Sequence, residues 1–227
     1  MDKTSTTSNS QSSAYSFAIR FFNEIKALGV TEVAVSPGSR NTPLVLAADA
    51  TGLNLKVFVD ERVAGFYALG HAKITKSPVV LVCTSGTASA NYLPAVIEAN
   101  HSGVPMIICS ADRPPELRQW GAGQTIDQVQ IYGSNVRWFY DLPVANNVDP
   151  SKAQSIAVRA WDRSVTGRGP IHLNWPLREP LEPLSDLVVP KANLKPFDTA
   201  TFCEAGAQRL RQLGEKYENG VISVGPN

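Results

Sequence analysis

The sequence predicts an α/β protein with a parallel sheet and helices on both faces of that sheet. Short apolar segments alternate with longer amphipathic segments between about residues 14 and 180. Segments such as 79–83 and 106–109 are apolar throughout, which is typical of strands covered on both sides. The alternation of strands and helices favours parallel pairing, because each crossover places a helix on one face of the sheet.

The predicted elements follow one another in a regular order. A helix over 13–28 carries an apolar stripe and ends at Gly29, a residue typical of helix ends. Strands are predicted over 32–36, 55–59, 79–83, 106–109, 138–142 and 171–174. Helices are predicted over 43–50, 61–74, 87–100 and 149–166. The last of these helices begins with Asp149 and Pro150, which favour the first turn of a helix.

The composition changes at both ends of this α/β region. Residues 1–13 are rich in Ser and Thr, so a disordered tail is predicted there. Repeated prolines after residue 175 indicate an extended linker over 183–199. A helix over 200–213 and a strand over 221–224 then resemble the start of another α/β unit. We therefore predict one complete domain over 14–182, and over 200–227 the start of a truncated second domain, since one strand cannot form a domain.

Charge and cysteine usage exclude several classes of protein. The 21 basic and 20 acidic residues nearly cancel, and no long basic run is present, so no nucleic-acid partner is predicted. No apolar stretch reaches the roughly 18 residues that span a bilayer, so no transmembrane segment is predicted. The three cysteines lie far apart without a CxxC pattern, which favours a reducing, cytoplasmic setting over a disulfide-bonded one.

Two arginines follow predicted strands, at the carboxyl ends where open parallel sheets bind ligands. Arg40 closes the segment SPGSR and precedes a helix start, where free backbone N–H groups also suit a carboxylate or phosphate. Arg113 follows another strand and precedes a proline-led turn in the same way. The structural alternatives are a solvated arginine at 40 and, at 113, a salt bridge to Asp112 or Glu116.

Two further segments at strand ends are candidates for a site. Glu61 enters a helix rich in small residues, which would let another element, such as a partner subunit, approach closely. Acidic residues in a first helical turn are, however, favoured by the helix dipole without any function. The segment TSGTA at 84–88, followed by Asn91, forms a glycine-containing turn that lacks the spacing and lysine of a P-loop. A tight turn alone is the structural alternative here.

Together these segments resemble one family of enzymes. SPGSR, DERVAGFYALGHAK, TSGTASANYLPAVIEA and SADRPPELR with GAGQ look like the N-terminal domain of the MenD family, over roughly residues 14–180. These enzymes are the 2-succinyl-5-enolpyruvyl-6-hydroxy-3-cyclohexene-1-carboxylate synthases of menaquinone and phylloquinone synthesis. The resemblance implies a thiamin-diphosphate-binding fold, with this chain as the pyrimidine-binding domain of a three-domain transferase. It also implies decarboxylation of 2-oxoglutarate and addition of the resulting carbanion to isochorismate.

The resemblance assigns roles to individual residues. Glu61 matches the glutamate that hydrogen-bonds N1′ of the cofactor's aminopyrimidine, a role that needs a carboxyl able to hold a proton in apolar surroundings. Thr87 and Asn91 are expected to line the pyrimidine pocket. Both substrates are dicarboxylates, so the remaining matched side chains are expected to bind carboxylates. These substrate-binding residues are Ser39, Arg40, Arg113 and Gln124.

The resemblance also implies partners and cofactors. The cofactors are thiamin diphosphate and Mg²⁺, and the family holds the metal and the diphosphate on a GDG motif of its last domain. That motif is absent from this sequence, which agrees with the predicted truncation and predicts an inactive fragment. A homo-oligomer, dimer or tetramer, is expected because catalysis takes place between subunits.

One residue departs from the family, and two other interpretations stay open. Gly123 stands where some relatives have an asparagine, which bears on the contacts of Gln124. One alternative is a different thiamin-diphosphate decarboxylase or carboligase. The other is a free-standing, non-catalytic binding domain.

Overall fold

The structure is a computed structural model that describes residues 3–145, 149–183 and 188–189, together with 208, 211, 212 and 215. The chain divides into two compact units, 1–193 and 194–227. In the second unit the described residues are helical. The rest of the predicted helix over 200–213 and the predicted strand over 221–224 lie outside the described residues. The predicted linker and truncated domain therefore stay predictions.

A six-stranded parallel sheet forms the centre of the first unit. Its strands lie in the spatial order β2-β1-β3-β4-β6-β5. Their bounds are β1 Glu32–Val35, β2 Asn54–Val57, β3 Val79–Cys83, β4 Met106–Asp112, β5 Phe139–Asp141 and β6 Pro170–Pro176. The predicted fold class, a parallel sheet with helices on both faces, is confirmed.

Helices cover the sheet on both faces. They are α1 Lys3–Ala27, α2 Thr42–Ala50, α3 Glu61–Thr75, α4 Thr87–Ala90, α5 Leu93–Ser102 and α6 Lys152–Val165, with 3-10 turns at Pro115–Leu117 and Gly133–Asn135. Side chains of α1, α2 and α6 pack with Val80 and Val82 in one core, whereas those of α3, α4 and α5 pack with Leu81 and Cys83 in the other. Neighbouring strand residues point to opposite faces, so an all-apolar strand serves both cores. None of the helices in the described ranges is both long and apolar enough to cross a membrane.

Several element boundaries differ from the prediction; α6, for example, begins at Lys152 and not at Asp149, and β4 continues to Asp112. Helix α1 begins at Lys3, ten residues before the predicted helix start at residue 13. Once an apolar stripe anchors a helix, adding residues to its end costs far less than nucleation, even for Ser and Thr. The predicted helix over 87–100 is broken into α4 and α5. Pro94 explains the break, because its ring clashes with the carbonyl four residues earlier, at Ala90. Edge strand β2 ends two residues earlier than predicted.

The carboxyl ends of the strands line up along one side of the sheet, which is called the site edge below. Val35 of β1 lies beside Val57 of β2 and Val82 of β3. Val82 in turn lies beside Cys109 of β4, and Cys109 beside Leu173 of β6. The segments that follow these strands therefore leave the sheet side by side. This edge collects all the segments that the sequence singled out.

Candidate active site

Glu61 is the first residue of α3 because Asp60 caps that helix. The Asp60 side chain accepts a hydrogen bond from the backbone N–H of Arg62 at 2.9 Å, which satisfies one of the free donors of the first turn. Glu61 is half-buried, and its Oε2 accepts a hydrogen bond from Asn91 Nδ2 at 3.4 Å. The two residues come from different crossovers, so the fold brings a predicted catalytic acid and a predicted pocket residue together.

The surface around Glu61 is apolar and open in the single chain. Val59 is 89% exposed and Phe66 is 49% exposed, and Val63 is exposed as well. A carboxyl with one amide neighbour, beside an apolar surface, fits an aminopyrimidine ring, which needs one hydrogen-bonding acid and apolar contact on its faces.

Helix α4 places the other two pocket residues. Gly86, at φ +84° and ψ −146°, caps its start, and Thr87 follows as an exposed first residue. Asn91 caps its end, where the chain turns into α5. The short helix therefore sets the distance between the glycine turn and the residue that contacts Glu61.

Arg113 is not engaged in the salt bridge that was its structural alternative. Asp112 instead pairs with Arg118 at 2.9 Å, and Glu116 pairs with Arg178. The guanidinium of Arg113 donates to Ser85 Oγ and, among the described residues, forms no ion pair. Burial, followed by the positive charge of Arg40, lowers the pKa of Arg113 from its usual value, which still leaves it cationic at neutral pH. A partly buried cation without a carboxylate partner suits an anionic ligand.

Gln124 lies beside the same turn as Arg113. Its Nε2 is 3.4 Å from the carbonyl oxygen of Ser85. A Cβ at Gly86 would stand 3.1 Å from the backbone oxygen of Gln124, so the glycine allows this close approach. Gly123, the departure from the family pattern, has open space where a side chain would project. An asparagine there would therefore fit without displacing the loop.

Arg40 is buried and already paired within the chain. Its Nη1 donates to the carbonyl of Leu177 at 2.8 Å, and its Nη2 pairs with Glu179 at 2.7 Å. The Glu179 side chain is 72% exposed, so the carboxylate is a weakly held partner in water. Ser39 is exposed, and its carbonyl accepts the hydroxyl of Thr42 at 2.8 Å. Arg40 thus lies near Arg113 but is less available than Arg113 to an outside anion.

A buried polar network behind the site was not predicted. Ser110, His172 and Asn174 are fully buried on β4 and β6, and Gln128 joins them from the loop after β4. Burial lowers the pKa of His172 to about 3. The sequence gives no sign of this network. Single polar residues in strands and loops are ordinarily exposed to solvent, and no spacing or periodicity distinguishes these four. Within the described ranges, no three His, Cys, Asp or Glu side chains are placed to hold a metal ion.

Comparison with known proteins shows the family to which the chain belongs. Residues 17–131 match the family described as "Thiamine pyrophosphate enzyme, N-terminal TPP binding domain". The chain belongs to this family of thiamine pyrophosphate enzymes.

Several similar proteins from bacteria share one name. The 2-succinyl-5-enolpyruvyl-6-hydroxy-3-cyclohexene-1-carboxylate synthase of Listeria innocua is 52% identical over 72% of this chain. The enzyme of that name from Geobacillus thermodenitrificans is 49% identical over 76% of the chain, and that from Bacillus pumilus 44% identical over 88%. The chain spans 29%, 30% and 33% of the length of these relatives, respectively.

Proposed function

We propose that this chain supplies the pyrimidine-binding domain of a thiamin-diphosphate-dependent transferase. The complete enzyme decarboxylates 2-oxoglutarate and adds the remaining succinyl-semialdehyde unit to isochorismate, in menaquinone biosynthesis. The observation that carries the proposal is the meeting of two features at one edge of the sheet. One is the Glu61–Asn91 pair, at 3.4 Å, and the other is the cation of Arg113 against the Ser85 turn. The shared name of the relatives supports the choice of substrates.

Glu61 has the role of a proton-holding acid in this proposal. The O–H of its protonated carboxyl would donate a hydrogen bond to N1′ of the bound aminopyrimidine, while Asn91 donates to Oε2. Thr87, exposed at the start of α4, lines the same pocket. When bound, thiamin diphosphate supplies the thiazolium carbon at which a 2-oxo acid loses carbon dioxide. Apolar cover over Val63 would exclude water from the acid and favour its protonated form.

The anion-binding end of the site is assigned to the arginines. Arg113 can hold a substrate carboxylate through two parallel hydrogen bonds, and Gln124 can donate to the same group. Arg40 adds positive charge near Arg113, and Ser39, the neighbour of Arg40 in the chain, is exposed. Arg113 and Gln124 together are called the anion clamp. An enzyme of this family that acts on dicarboxylates needs such a clamp and an acid on the same side of the sheet.

The remaining parts of the proposal concern the complete enzyme. We assign residues 14–182 to the pyrimidine-binding domain, 183–199 to a linker and 200–227 to the start of the next domain. Mg²⁺ and the diphosphate are held elsewhere in the enzyme, and a second subunit covers the apolar surface beside Glu61. A cytoplasmic location is supported by Cys83 and Cys109, which are buried and not disulfide-bonded.

Substitution of Glu61 tests the proposal in the full-length enzyme. Glu61→Gln keeps the shape of the side chain but removes its acidic proton. We expect the rate of product formation from 2-oxoglutarate and isochorismate to fall at least about a hundredfold, the usual contribution of acid–base catalysis. Glu98→Gln, the same chemical change at an exposed position of α5, should leave the rate unchanged.

A substrate panel separates the proposal from its alternatives. Turnover of pyruvate but not of 2-oxoglutarate would indicate another carboligase of the family. Binding without turnover of any 2-oxo acid would indicate a non-catalytic domain. Full activity of the Glu61 variant would contradict the role assigned to this residue.

A further inference from the structure

Gln128 is a buried side chain that joins three separate segments at the site edge. It is 1% exposed. Its Oε1 accepts the backbone N–H of Gly86 at 3.0 Å, in the turn after β3. Its Nε2 donates to the carbonyl of Ala111 at 2.9 Å, on β4, and to Asn174 Oδ1 at 2.8 Å, on β6. One amide therefore connects the ends of three strands.

The Gly86 N–H that Gln128 holds belongs to the peptide unit that Gln124 contacts. The carbonyl of Ser85 and the N–H of Gly86 lie in one rigid plane and point in opposite directions. Gln128 Oε1 holds the N–H side at 3.0 Å, and Gln124 Nε2 lies 3.4 Å from the carbonyl side. Ser85 also accepts the hydrogen bond from Arg113 through its hydroxyl. The orientation of this single peptide thus affects the positions of the Arg113 and Gln124 side chains, the two groups that are proposed to bind the substrate.

The backbone alone does not fix that peptide. Gly86 adopts φ +84° and ψ −146°, a conformation that glycine reaches easily and leaves just as easily. A hydrogen bond from a fixed side chain can decide between such conformations. Gln128 is itself fixed, because Asn174 donates to Asp112 at 2.9 Å and to Asp141 at 2.8 Å and so presents its oxygen to Gln128.

We propose that Gln128 is a positioning residue, which holds the Ser85–Gly86 peptide so that Arg113 and Gln124 are both directed toward the substrate. This inference rests on the proposed function, since the substrate is the dicarboxylate assigned above. Gln128 itself has no contact with the substrate. Its contribution is to the geometry of the anion clamp, not to the acid at Glu61.

Gln128→Met tests the inference in the full-length enzyme, because methionine has a similar volume and cannot accept the Gly86 N–H. We expect the KM for at least one acid substrate to rise about tenfold, as for the loss of one well-placed hydrogen bond. The kcat and the dissociation constant of thiamin diphosphate should change less than about twofold. In combination with Arg113→Lys, the increases in KM should be less than multiplicative, since both substitutions disturb the same clamp.

A control variant and an exchange measurement separate positioning from stability. Ser164→Ala removes buried hydrogen bonds to Met106 and Gly169, beside the starts of β4 and β6. It should lower stability without changing KM. Amide hydrogen exchange should rise at residues 84–88 and 121–126 in Gln128→Met but not in Ser164→Ala.

The possible failures are distinguishable. Lack of turnover by the unsubstituted enzyme would overturn the proposed function, while the exchange measurement would still test Gln128. Unchanged KM in Gln128→Met, with unchanged exchange at 84–88, would overturn the positioning role. An equal rise in KM in both variants would also overturn it, because that result would indicate a general effect of lost stability.

Discussion

At the scale of single residues, the buried network behind the site depends on the protonation of His172. Ser110 Oγ lies 2.7 Å from His172 Nε2 and donates to Asn174 Oδ1 at 3.2 Å. Nε2 of His172 is assigned as the donor to Ser110, because the other tautomer would bury the N–H of Nδ1 without an acceptor. The other ring nitrogen, Nδ1, is then an unprotonated acceptor, and it has no partner among the described residues. A neutral ring leaves only this acceptor unpaired, whereas a second ring proton would be a buried donor without an acceptor.

Stability should therefore depend on pH through His172. Burial lowers its pKa to about 3 in the folded state, whereas an unfolded imidazole titrates near about 6.5. Between these values the unfolded state binds more protons, so the stabilising contribution is complete above about pH 6.5 and is lost as the pH falls. We expect the melting temperature to drop from about pH 7 to about pH 5, and to drop less in His172→Leu.

The exposed His101 provides the control for this titration. His101→Gln changes a histidine on the surface of α5 and should leave the pH dependence of melting unchanged. Scanning calorimetry at several pH values measures all three proteins. If His172→Leu and the unsubstituted protein lose stability in parallel as the pH falls, His172 is not the titrating group.

At the scale of elements, the turn from β3 into α4 has the most restrictive geometry of the site. Gly86 combines a positive φ with a close approach of Gln124, whose backbone oxygen lies 3.1 Å from the point that a methyl group on Gly86 would occupy. Both conditions exclude a larger residue, because L-residues rarely adopt this backbone region and the neighbour is main chain. The turn therefore joins backbone conformation to the placement of the loop over 121–126.

Gly86→Ala should consequently destabilise the protein by about 1–3 kcal/mol, the usual cost of a residue held in a glycine-only region. The matched substitution is Gly133→Asn, where φ is +52° and the surroundings are open. Asparagine tolerates that left-handed conformation, so its cost should stay below about 1 kcal/mol. Chemical denaturation compares the two variants. Equal costs at both positions would contradict the requirement for glycine at position 86.

The sequence was sufficient to predict the strands and helices, but not the side-chain contacts between residues far apart in the chain. Apolar runs predicted all six strands of the sheet, and the segments at strand ends predicted where the site lies. Local patterns could not show that Arg40 pairs with Glu179, 139 residues away, while Arg113 remains available. The role of Gln128 was missed for the same reason, since its partners lie 17, 42 and 46 residues away. Such contacts are set by the packing of the sheet, not by periodicity.

At the scale of the whole molecule, α3 is apolar on two opposite sides. Small residues such as Ala64, Ala68 and Ala72 are buried against the sheet. On the other side, Val63, Phe66 and Ile74 are exposed. A helix that is apolar on both sides is normally buried on both sides. This surface, beside Glu61, is where we propose that a second subunit binds.

Phe66→Asp tests that surface, because it places a charge within an interface that should be dry. We expect sedimentation of the full-length enzyme to show dissociation toward monomers. The control is Tyr140→Ser. It removes an exposed aromatic side chain from β5, the outermost strand on the side of the sheet opposite β2. It should leave the sedimentation unchanged. A Phe66→Asp enzyme with undiminished mass would place the subunit interface elsewhere.

The packing of α1 against α6 has a consequence for the order in which the protein can be assembled. The apolar stripe of α1, with Phe21 and Phe22, is buried in the same core as Ala153 and Ala157 of α6. Helix α1 is thus synthesised before α6, the last helix that packs on the same face of the sheet. The apolar stripe of residues 14–27 therefore stays incompletely covered until α6, more than a hundred residues later, has been translated. Nascent chains of this protein are accordingly expected to need protection by chaperones throughout that interval.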